Sequence, residues 1–296
     1  MDKTPLVGVV TVLYNSSSVL DDFYKSIANQ IYNNFILYII DNRSLDDSLI
    51  KCKELQVKYS KVKSIIIENV SNLGIAEGNN IGIQRSIRDK CEYVLLLNND
   101  TIFDSSLFSE IINGSIHYNA DMLVPKIKFY GTNKIWCAGG TFNWLKCTTI
   151  HYGYLKEDLG QFEKSMEVLY SPTCCMLIHV SVFESIGLMN NKYFVYFDDT
   201  DFVYRAIKKH FKLRYFPTSP LYHKESTSTG INSPFKTYYL NRNQFLFLRY
   251  NFSKLYMLYI FIYRIIVHYL IHYFTMNKEL YRSEFRGLLD GVKLSI

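Results

Sequence analysis

The amino-acid sequence predicts an α/β fold built on a mainly parallel sheet flanked by helices, and two observations support this prediction. Over residues 1–125, short β-rich apolar segments alternate with segments whose apolar residues recur at helical spacing. Strands that alternate with helices form parallel sheets through right-handed crossovers. The chain can also bury a large core, because 48% of its 296 residues are hydrophobic and only 20% are charged.

The first half of the sequence supplies four strand–helix pairs. The first strand, residues 6–13, is apolar and β-rich, and the polar turn at residues 15–18 then offers helix-capping side chains. The following helix carries Leu20, Phe23 and Ile27 at helical spacing. The other predicted strands cover residues 35–40, 62–67 and 93–97, and the predicted helices cover residues 19–29, 46–59, 75–89 and 104–118.

Residues 126–169 are less regular, with short β-like segments around their glycines. The Ser-, Thr- and Pro-rich residues 217–234 predict a mobile loop. The other predicted elements are a short helix within residues 171–187, an apolar strand at residues 192–197, a helix at residues 198–210 and a short strand at residues 213–216.

The C-terminal residues carry the whole net charge of the chain. The net charge is +6 at pH 7, and residues 231–296 contain nine basic and three acidic residues. Residues 250–274 are rich in Tyr, Phe, Ile and Leu, but basic residues such as Arg264 interrupt them and argue against a simple membrane span. Aromatic residues mixed with basic ones are typical of a helix that lies in the membrane interface. The alternative is a buried helix of the core or of a dimer interface.

These patterns divide the chain into three segments: residues 1–125 and 126–233 as halves of one domain, and residues 234–296 as a helical, basic and aromatic tail. The six cysteines show no CxxC spacing, and the N-terminus has no secretory signal, so a cytosolic protein with reduced cysteines is expected. The sequence contains no evident nucleic-acid module. It also lacks GxGxxG after the first strand and GxxxxGK(S/T) anywhere, which excludes the usual dinucleotide and P-loop sites.

Polar side chains follow each of the first four predicted strands. They are Asn15, Asp41, the asparagines of residues 69–72 and the NND of residues 98–100. Because the carboxyl ends of parallel strands share one edge, these groups are expected to form a polar rim where α/β sheets bind ligands. Each group alone is more typical of an ordinary turn, and only the four together indicate a site. Without a glycine-rich phosphate loop, a cation held by Asp100 is the remaining means of neutralising a diphosphate.

An acidic cluster and one histidine are further candidates for chemistry. Residues 196–202 read YFDDTDF, and Asp199 follows the predicted apolar strand, where partial burial would raise its pKa towards that of a working base. The alternative is that these acids cap the following helix and interact with its dipole. His223 precedes the polar loop and is a candidate metal ligand, although a lone histidine is more often structural.

Five segments together resemble the inverting glycosyltransferases of family two. They are VVTVLYN (9–15), YIIDNRSLDDS (38–48), NLGIAEGNNIGI (72–83), LLLNNDT (95–101) and YFVYFDDTDFVYRA (193–206), and His223 follows them. The similarity covers about residues 6–250. Each segment alone is weak evidence, whereas five in the family's order and spacing indicate a member of the rhamnosyltransferase-like, polysaccharide-biosynthesis type.

The resemblance implies a GT-A fold, in which a Rossmann-like nucleotide-binding half joins an acceptor half. It also implies a nucleotide-diphospho-sugar donor and a divalent cation, Mg²⁺ or Mn²⁺. Asp199 matches the catalytic base, and Asp100 and His223 match the metal ligands. Asn98 departs from the family's DxD motif, so the metal site has one acid fewer. The donor-site residues that the motifs imply are Leu13, Asn15, Asp41, Asn72, Asn98 and Asp100.

The reaction implied is a single in-line displacement with inversion, in which Asp199 takes the proton of the acceptor hydroxyl. The donor is expected to be UDP- or dTDP-linked. The Asn98 variant favours rhamnose, and galactosyl, galactofuranosyl and glucosyl donors are left open.

The acceptor implied is a surface glycan on a polyprenyl carrier at the cytoplasmic face of the cell membrane. Residues 234–296 would bind that anionic surface peripherally, and they could also pair subunits. Two alternative functions are a sugar-1-phosphate nucleotidyltransferase and a non-catalytic membrane-associated assembly protein with a degenerate site. The loop at residues 14–18, which has neither glycine nor a basic residue, disfavours the nucleotidyltransferase.

Overall fold

The computed structural model describes residues 4–224 and 233–294 of the 296-residue chain, without the side chains of His268 and Tyr269. Its strands are β1 (Val7–Leu13), β2 (Phe35–Asp41), β3 (Ser64–Glu68), β4 (Tyr93–Leu97), β5 (Thr101–Phe103), β6 (Met122–Val124), β7 (Ile127–Phe129), β8 (Ile135–Cys137), β9 (Gly140–Asn143), β10 (Thr148–His151), β11 (Met166–Glu167), β12 (Cys175–His179), β13 (Leu213–Tyr215) and β14 (Leu221–His223). Its helices are α1 (Leu20–Ala28), α2 (Ser48–Lys58), α3 (Gly74–Arg88), α4 (Leu107–Tyr118), α5 (Val180–Ile186), α6 (Asp198–Lys208), α7 (Pro234–Asn251), α8 (Lys254–Val267), α9 (Tyr273–Thr275) and α10 (Lys278–Lys293).

The central sheet contains eight strands within the described residues, in the order β11-β13-β6-β12-β4-β1-β2-β3. Strand β1 pairs in parallel with β2 and β4, and β2 pairs in parallel with β3. Strand β6 is parallel to β13, whereas β12 and β11 run antiparallel to their neighbours. The predicted mainly parallel sheet is therefore confirmed, and the carboxyl ends of β1 to β4 meet at one edge.

Apolar layers cover both faces of this sheet. Successive side chains of a strand point to opposite faces, so Val9 of β1 packs in the layer of α1, α2 and α4, and Val10 packs in the layer of α3, α6 and α7. The six cysteines are all buried and none forms a disulfide, as the sequence predicts for reduced packing residues.

A smaller sheet of four strands, in the order β5-β14-β7-β8, was not predicted from the sequence. Strands β5 and β14 have three residues each, and β14 falls within the predicted mobile loop. Such short segments contain too few residues for periodicity to distinguish a strand from a loop. Residues 225–232 of the predicted loop lie outside the described part of the chain.

The predicted strand at residues 192–197 is wrong. The segment begins in a short 3₁₀ helix, and Phe194, Tyr196 and Phe197 then adopt φ angles of 59°, 62° and 66°. Left-handed backbone of this kind cannot continue a strand. The aromatic rings are instead covered by α7, since Phe194 stacks on Tyr239 at 5.4 Å between centroids.

The helix expected within residues 171–187 is present as α5, but strand β12 precedes it. The continuous apolar run of β12 is compatible with a buried strand or a buried helix by periodicity alone. Pairing with β4 on one side and β6 on the other decides the choice in favour of a strand.

The C-terminal segment is helical, and its first helix packs into the domain core. Residues 245–248 of α7 are at most 1% exposed and belong to the layer of α3 and α6. Helix α10 packs closely against α7. A Cβ atom added to Gly291 of α10 would lie only 2.5 Å from the carbonyl oxygen of Arg242 in α7. The division at residue 233 stays a prediction, and the packing of α7 is continuous across it.

A continuous helix, Lys254–Thr275, is long and apolar enough to cross a membrane by length and composition alone. Its central Arg264 bonds to Asn241 of α7 and to the buried carboxylate of Glu284 in α10. The guanidinium charge of Arg264 is therefore directed towards α7 and α10. Its exposed apolar side chains include Leu255, Leu258, Tyr259, Ile262, Ile266 and Leu270.

Candidate active site

The loops after β1 and β2 interlock at the carboxyl edge of the sheet. Asp41 is 2% exposed, and its two carboxylate oxygens each lie 3.3 Å from the backbone N–H of Ser44, which donates to them. The side-chain oxygen of Asn15 accepts from the N–H of Leu45 at 2.8 Å. Leu13 pairs with Asp41 across the two strands and its side chain is fully buried. Asn15 and Asp41 therefore hold the two loops together as a rim at this edge of the sheet. Leu13 packs in the core below them.

Asn72 and an unpredicted asparagine organise the third loop. The side-chain oxygen of Asn72 accepts from the N–H of Gly74 at 2.9 Å, where α3 begins. Asn42 is buried and donates to the carbonyl of Gly74 at 2.9 Å, while it accepts from the side chain of Asn69 at 2.8 Å. The rim is thus continuous from β2 to α3, and Asn72 supports its shape.

The three residues after β4 have different environments. Asn99 is 8% exposed and donates to the carbonyl of Val12 at 2.6 Å, so it ties β4 to β1. The backbone N–H of Asn98 donates to the carbonyl of Cys174 at 2.9 Å. Within the described residues, the side-chain amide of Asn98 makes no hydrogen bond, which leaves it available to a ligand together with Asp100.

The small sheet brings Asp100 and His223 together. Strand β14 pairs with β5 so that His223 lies opposite Thr101, and Nε2 of His223 lies 3.2 Å from Oδ1 of Asp100. Both side chains are largely buried, yet Oδ1 of Asp100 and Nδ1 of His223 have no hydrogen-bond partner within the described residues. Burial lowers the pKa of His223, but Cys174 and Asp100 outweigh this effect and raise it well above its ordinary value.

This pair fits a divalent cation. A carboxylate oxygen and an imidazole nitrogen are ligands that Mn²⁺ accepts. Here the two groups lie 3.2 Å apart, so one cation could contact both in place of their mutual contact. No cluster of three or more His, Cys, Asp or Glu residues occurs in the described ranges, so these ranges offer two ligands at this place. The other ligands would come from phosphate oxygens and water, as is usual for Mg²⁺.

Asp199 lies in the first turn of α6 and is held by three hydrogen-bond donors. The hydroxyl of Tyr170 donates to Oδ2 at 2.9 Å, and the N–H and hydroxyl of Thr200 donate to Oδ1 at 2.6 and 3.1 Å. Burial raises the pKa of Asp199, and these hydrogen bonds partly offset the effect. A carboxylate that is oriented and raised in pKa in this way suits general-base chemistry.

A row of packed rings connects the Asp100–His223 pair with Asp199. Trp136 lies edge-on to His223 at 4.6 Å between centroids, and His151 lies 5.3 Å from Trp136. The ring of His151 then stacks on Tyr170 at 5.7 Å. Ring packing therefore links the Asp100–His223 pair to the residue that holds Asp199. No local sequence pattern marks Trp136, His151 or Tyr170, because β8 and β10 are short and irregularly spaced.

Replacing Tyr170 with Phe is expected to move the acidic limb of the pH–rate profile to higher pH. The hydroxyl bond favours the ionised form of Asp199, so its loss raises the pKa of that carboxyl. A base must be ionised to act, and activity is therefore lost at a higher pH as the pH falls. The measurement is kcat/KM against pH. Tyr215→Phe is the matched control, because its hydroxyl donates to the carbonyl of Phe162 instead; equal profiles for wild type and Tyr170→Phe would contradict the assignment.

Asn243 of α7 holds the segment that precedes Asp199. It is fully buried, and its side-chain N–H₂ group donates to the carbonyls of Tyr193, Val195 and Tyr196 at 2.8, 2.7 and 2.9 Å. This is the segment with left-handed φ angles, which need support from their surroundings. The tail helix α7 therefore positions the candidate base.

Asn243→Ala is expected to lower the free energy of unfolding by at least about 2 kcal/mol, because buried carbonyls lose their donor. Urea denaturation measures this change. Asn191→Ala is the matched control, since Asn191 is exposed in the same region and its side chain donates only to the carboxylate of Glu77. A change no larger than that of the control would contradict the role of Asn243.

Comparison with known proteins assigns the chain to a family. Residues 8–187 match the family model described as glycosyl transferase family 2. The protein is a member of glycosyltransferase family 2. The resemblance inferred from the sequence motifs is thereby confirmed.

Two curated relatives of this family-2 glycosyltransferase match most of its length. The low-salt glycan biosynthesis hexosyltransferase Agl10 of Haloferax volcanii is 25% identical over 253 residues, which cover 84% of this chain and 77% of the relative. The dTDP-rhamnosyl transferase RfbF of Shigella flexneri is 25% identical over 258 residues, covering 83% and 80%.

A solved structure supports the GT-A fold of the family-2 glycosyltransferase. The mannosyltransferase PcManGT of Pyrobaculum calidifontis, in complex with GDP-Man and Mn²⁺, superposes with a TM-score of 0.59 at 10% identity. The match covers 100% of this chain and 77% of that one. The GT-A fold implied by the motifs is therefore confirmed.

Proposed function

We propose that this family-2 enzyme transfers a hexosyl or deoxyhexosyl unit, with inversion, from a nucleotide-diphospho-sugar to an acceptor hydroxyl. The observation that carries the proposal is the chain of packed rings that links the Asp100–His223 pair to Asp199. This arrangement combines two candidate cation ligands with an oriented carboxylate whose pKa is raised by burial. These are the parts that a leaving diphosphate and a reacting hydroxyl require.

The donor would lie along the rim at the carboxyl edge of the sheet. Asp41 would meet the nucleoside base, and the backbone turns held by Asn15 and Asn72 would shape its pocket. Asn98 and Asp100 would face the diphosphate. A UDP- or dTDP-linked sugar is proposed, with rhamnose favoured, and the name of the relative RfbF supports dTDP-rhamnose.

The residues of the chain account for the displacement as follows. Asp199 accepts the proton of the acceptor hydroxyl while Tyr170 and Thr200 hold its two oxygens in place. The acceptor oxygen forms a bond to the anomeric carbon, and the bond from that carbon to the diphosphate oxygen breaks, so the nucleoside diphosphate leaves with its electrons. A divalent cation bound by Asp100 and His223 would supply electrostatic stabilisation of the leaving group.

The proposed acceptor is a surface glycan on a polyprenyl carrier, and the proposed location is the cytoplasmic face of the cell membrane. The basic excess of residues 231–296 and the exposed apolar side chains of α8 support binding to an anionic lipid surface. Flotation of the full chain with vesicles that contain phosphatidylglycerol tests this location; failure to float would contradict it.

Calorimetric titration with UDP, dTDP and GDP, each with and without Mn²⁺, tests the donor site. We expect binding of UDP or dTDP that Mn²⁺ strengthens. Absence of binding by all three nucleotides would contradict the proposal and would favour a non-catalytic assembly protein with a degenerate site. Release of inorganic pyrophosphate from a sugar-1-phosphate and a nucleoside triphosphate would instead indicate a nucleotidyltransferase.

A further inference from the structure

An exposed apolar loop joins β9 to β10 on the same side of the molecule as α8. The hairpin pairs Asn143 with Thr148, and its tip carries Trp144 and Leu145, which are 43% and 73% exposed. Large apolar side chains at a loop tip are costly to leave in water unless a partner covers them. The family-2 chemistry proposed above makes no use of these two residues.

The tip is fastened to the apolar tail helix by side chains of that helix. The hydroxyl of Tyr256 donates to the carbonyl of Trp144, and the hydroxyl of Tyr259 donates to the carbonyl of Leu145, in the second case at 3.1 Å. Gln244 of α7 donates to the next two carbonyls, those of Lys146 and Cys147, at 2.8 and 3.0 Å. The tip and α8 therefore form one surface, although more than 100 residues separate them in the sequence.

Three lysines belong to the segments that meet at the tip. Lys146 follows Leu145 directly, Lys254 begins α8, and Lys208 of α6 lies over the ring of Tyr204, which contacts Trp144 at 5.9 Å between centroids. All three lysines are exposed. Trp and Tyr next to Lys are typical of the lipid–water interface, and the cytoplasmic leaflet is anionic. The charge of this surface therefore matches an anionic bilayer.

The other end of the hairpin reaches the candidate active site. His151, the last residue of β10, stacks on Tyr170, whose hydroxyl bonds to Asp199. At about 3.3 Å per residue, a strand of this length spans roughly 13 Å. A glycan whose lipid anchor lies beside the tip would thus be presented to the base within a short distance of the membrane.

We propose that Trp144 and Leu145 insert into the anionic membrane interface beside α8 and make the β9–β10 hairpin the membrane-facing wall of the acceptor site. The inference rests on the proposed membrane-linked acceptor and adds a docking element from the catalytic domain to the tail. The occupant of this surface is the lipid–water interface of a bilayer that contains anionic phospholipid.

Tryptophan fluorescence tests the insertion, because the chain contains two tryptophans, Trp136 and Trp144. In Trp136→Phe, the remaining Trp144 is expected to shift its emission to shorter wavelength on phosphatidylglycerol-containing vesicles and to be quenched by acyl-brominated lipid. In Trp144→Phe, the remaining Trp136 is 8% exposed and is expected to show neither effect. Unchanged Trp144 emission on vesicles that bind the protein would overturn the inference, while the membrane location of the tail would stand.

Vesicle affinity supplies the second measurement. Leu145→Asp in the full chain is expected to bind phosphatidylglycerol vesicles at least about tenfold more weakly, because it replaces an inserted apolar side chain with a charge. Ile116→Asp is the matched control, because Ile116 is 56% exposed on α4, which packs on the opposite face of the sheet. The vesicle affinity of this variant is expected to equal that of the wild type.

Two other outcomes would overturn the inference and are distinguishable from each other. A dimer in sedimentation velocity without lipid, which Leu145→Asp converts to a monomer, would assign the surface to a second copy of the chain. Wild-type protein that binds nucleotide but no vesicle would remove both this inference and the proposed membrane location, and would leave the proposed transfer reaction intact.

Discussion

Asp199→Asn is expected to lower kcat by about 10²–10⁴-fold, the range of a general base, while nucleotide-sugar binding stays unchanged. The amide has nearly the same shape as the carboxylate. Its oxygen can keep the hydrogen bonds from Thr200, and its N–H₂ group can donate to the hydroxyl oxygen of Tyr170, so the site should retain its structure. It cannot accept the proton of the acceptor hydroxyl. The measurements are steady-state turnover with the donor and a glycan acceptor, and calorimetric titration of the donor alone.

The neighbouring Asp198 provides a matched control for this substitution. Burial and the adjacent Asp199 raise the pKa of Asp198 well above its ordinary value. Asp198→Asn removes the neighbouring carboxyl of the same helix turn and should change kcat little, because the proposed base is Asp199. Equal activity of wild type and Asp199→Asn would refute the assignment of the base; equal losses in both variants would indicate a structural role for the acidic cluster.

Asp100→Asn is expected to abolish most of the gain in nucleotide affinity that Mn²⁺ provides, a loss of at least about tenfold. Even the outer-sphere partners of metal ligands are worth about 10–100-fold in metal affinity, and Asp100 is proposed to be a ligand itself. Since the described residues offer only the Asp100–His223 pair, no other carboxylate is available there to replace it. The affinity of UDP or dTDP without metal should change much less.

The same titrations with Asp104→Asn control for a general effect of removing a charge. Asp104 is exposed four residues after Asp100 and forms no side-chain ion pair within the described residues. Its substitution should leave the Mn²⁺ effect intact. If Asp100→Asn kept the full Mn²⁺ effect, the metal would have to bind elsewhere, and the NND of residues 98–100 would be only a turn.

Most of the donor rim could be predicted from the sequence. The alternation of apolar strands with amphipathic helices leads to parallel pairing, and parallel pairing places every strand's carboxyl end at one edge. Asp41 ends β2, and Asn15 and Asp100 lie within three residues of the ends of β1 and β4. Their approximate placement therefore depends only on local patterns, and the structure confirms the pairing of β1 to β4.

The contact between Asp100 and His223 could not be derived from local patterns. It depends on β5 and β14, two strands of three residues that pair across more than 100 residues of sequence. The family motifs implied that both residues are metal ligands. Only the register of the small sheet places the two side chains together. Short strands have little intrinsic preference, because neighbouring strands decide whether they form.

The row of rings and the contacts that hold the segment before Asp199 could not be predicted from the sequence either. Residues 192–197 look like a strand because they are apolar and aromatic, yet Asn243 binds three of their carbonyls and α7 covers their rings. A tertiary contact of this kind overrides local propensity. Likewise, Tyr170 lies in no recognisable motif, and it is positioned by its bridge to Gly140 of β9 and by its stacking on His151.

By itself, the sequence determined the parallel half-sheet, its polar edge and the identity of the candidate chemical groups, because strand and helix periodicities and strand-end residues act locally. It also determined that the C-terminal helices are basic and apolar. Tertiary structure alone decided which face of the Lys254–Thr275 helix stays exposed, that α7 supports the base, and that the tip with Trp144 joins the tail. Each of these depends on contacts between residues far apart in the chain, whose geometry is set by the packing of whole elements and by no single segment.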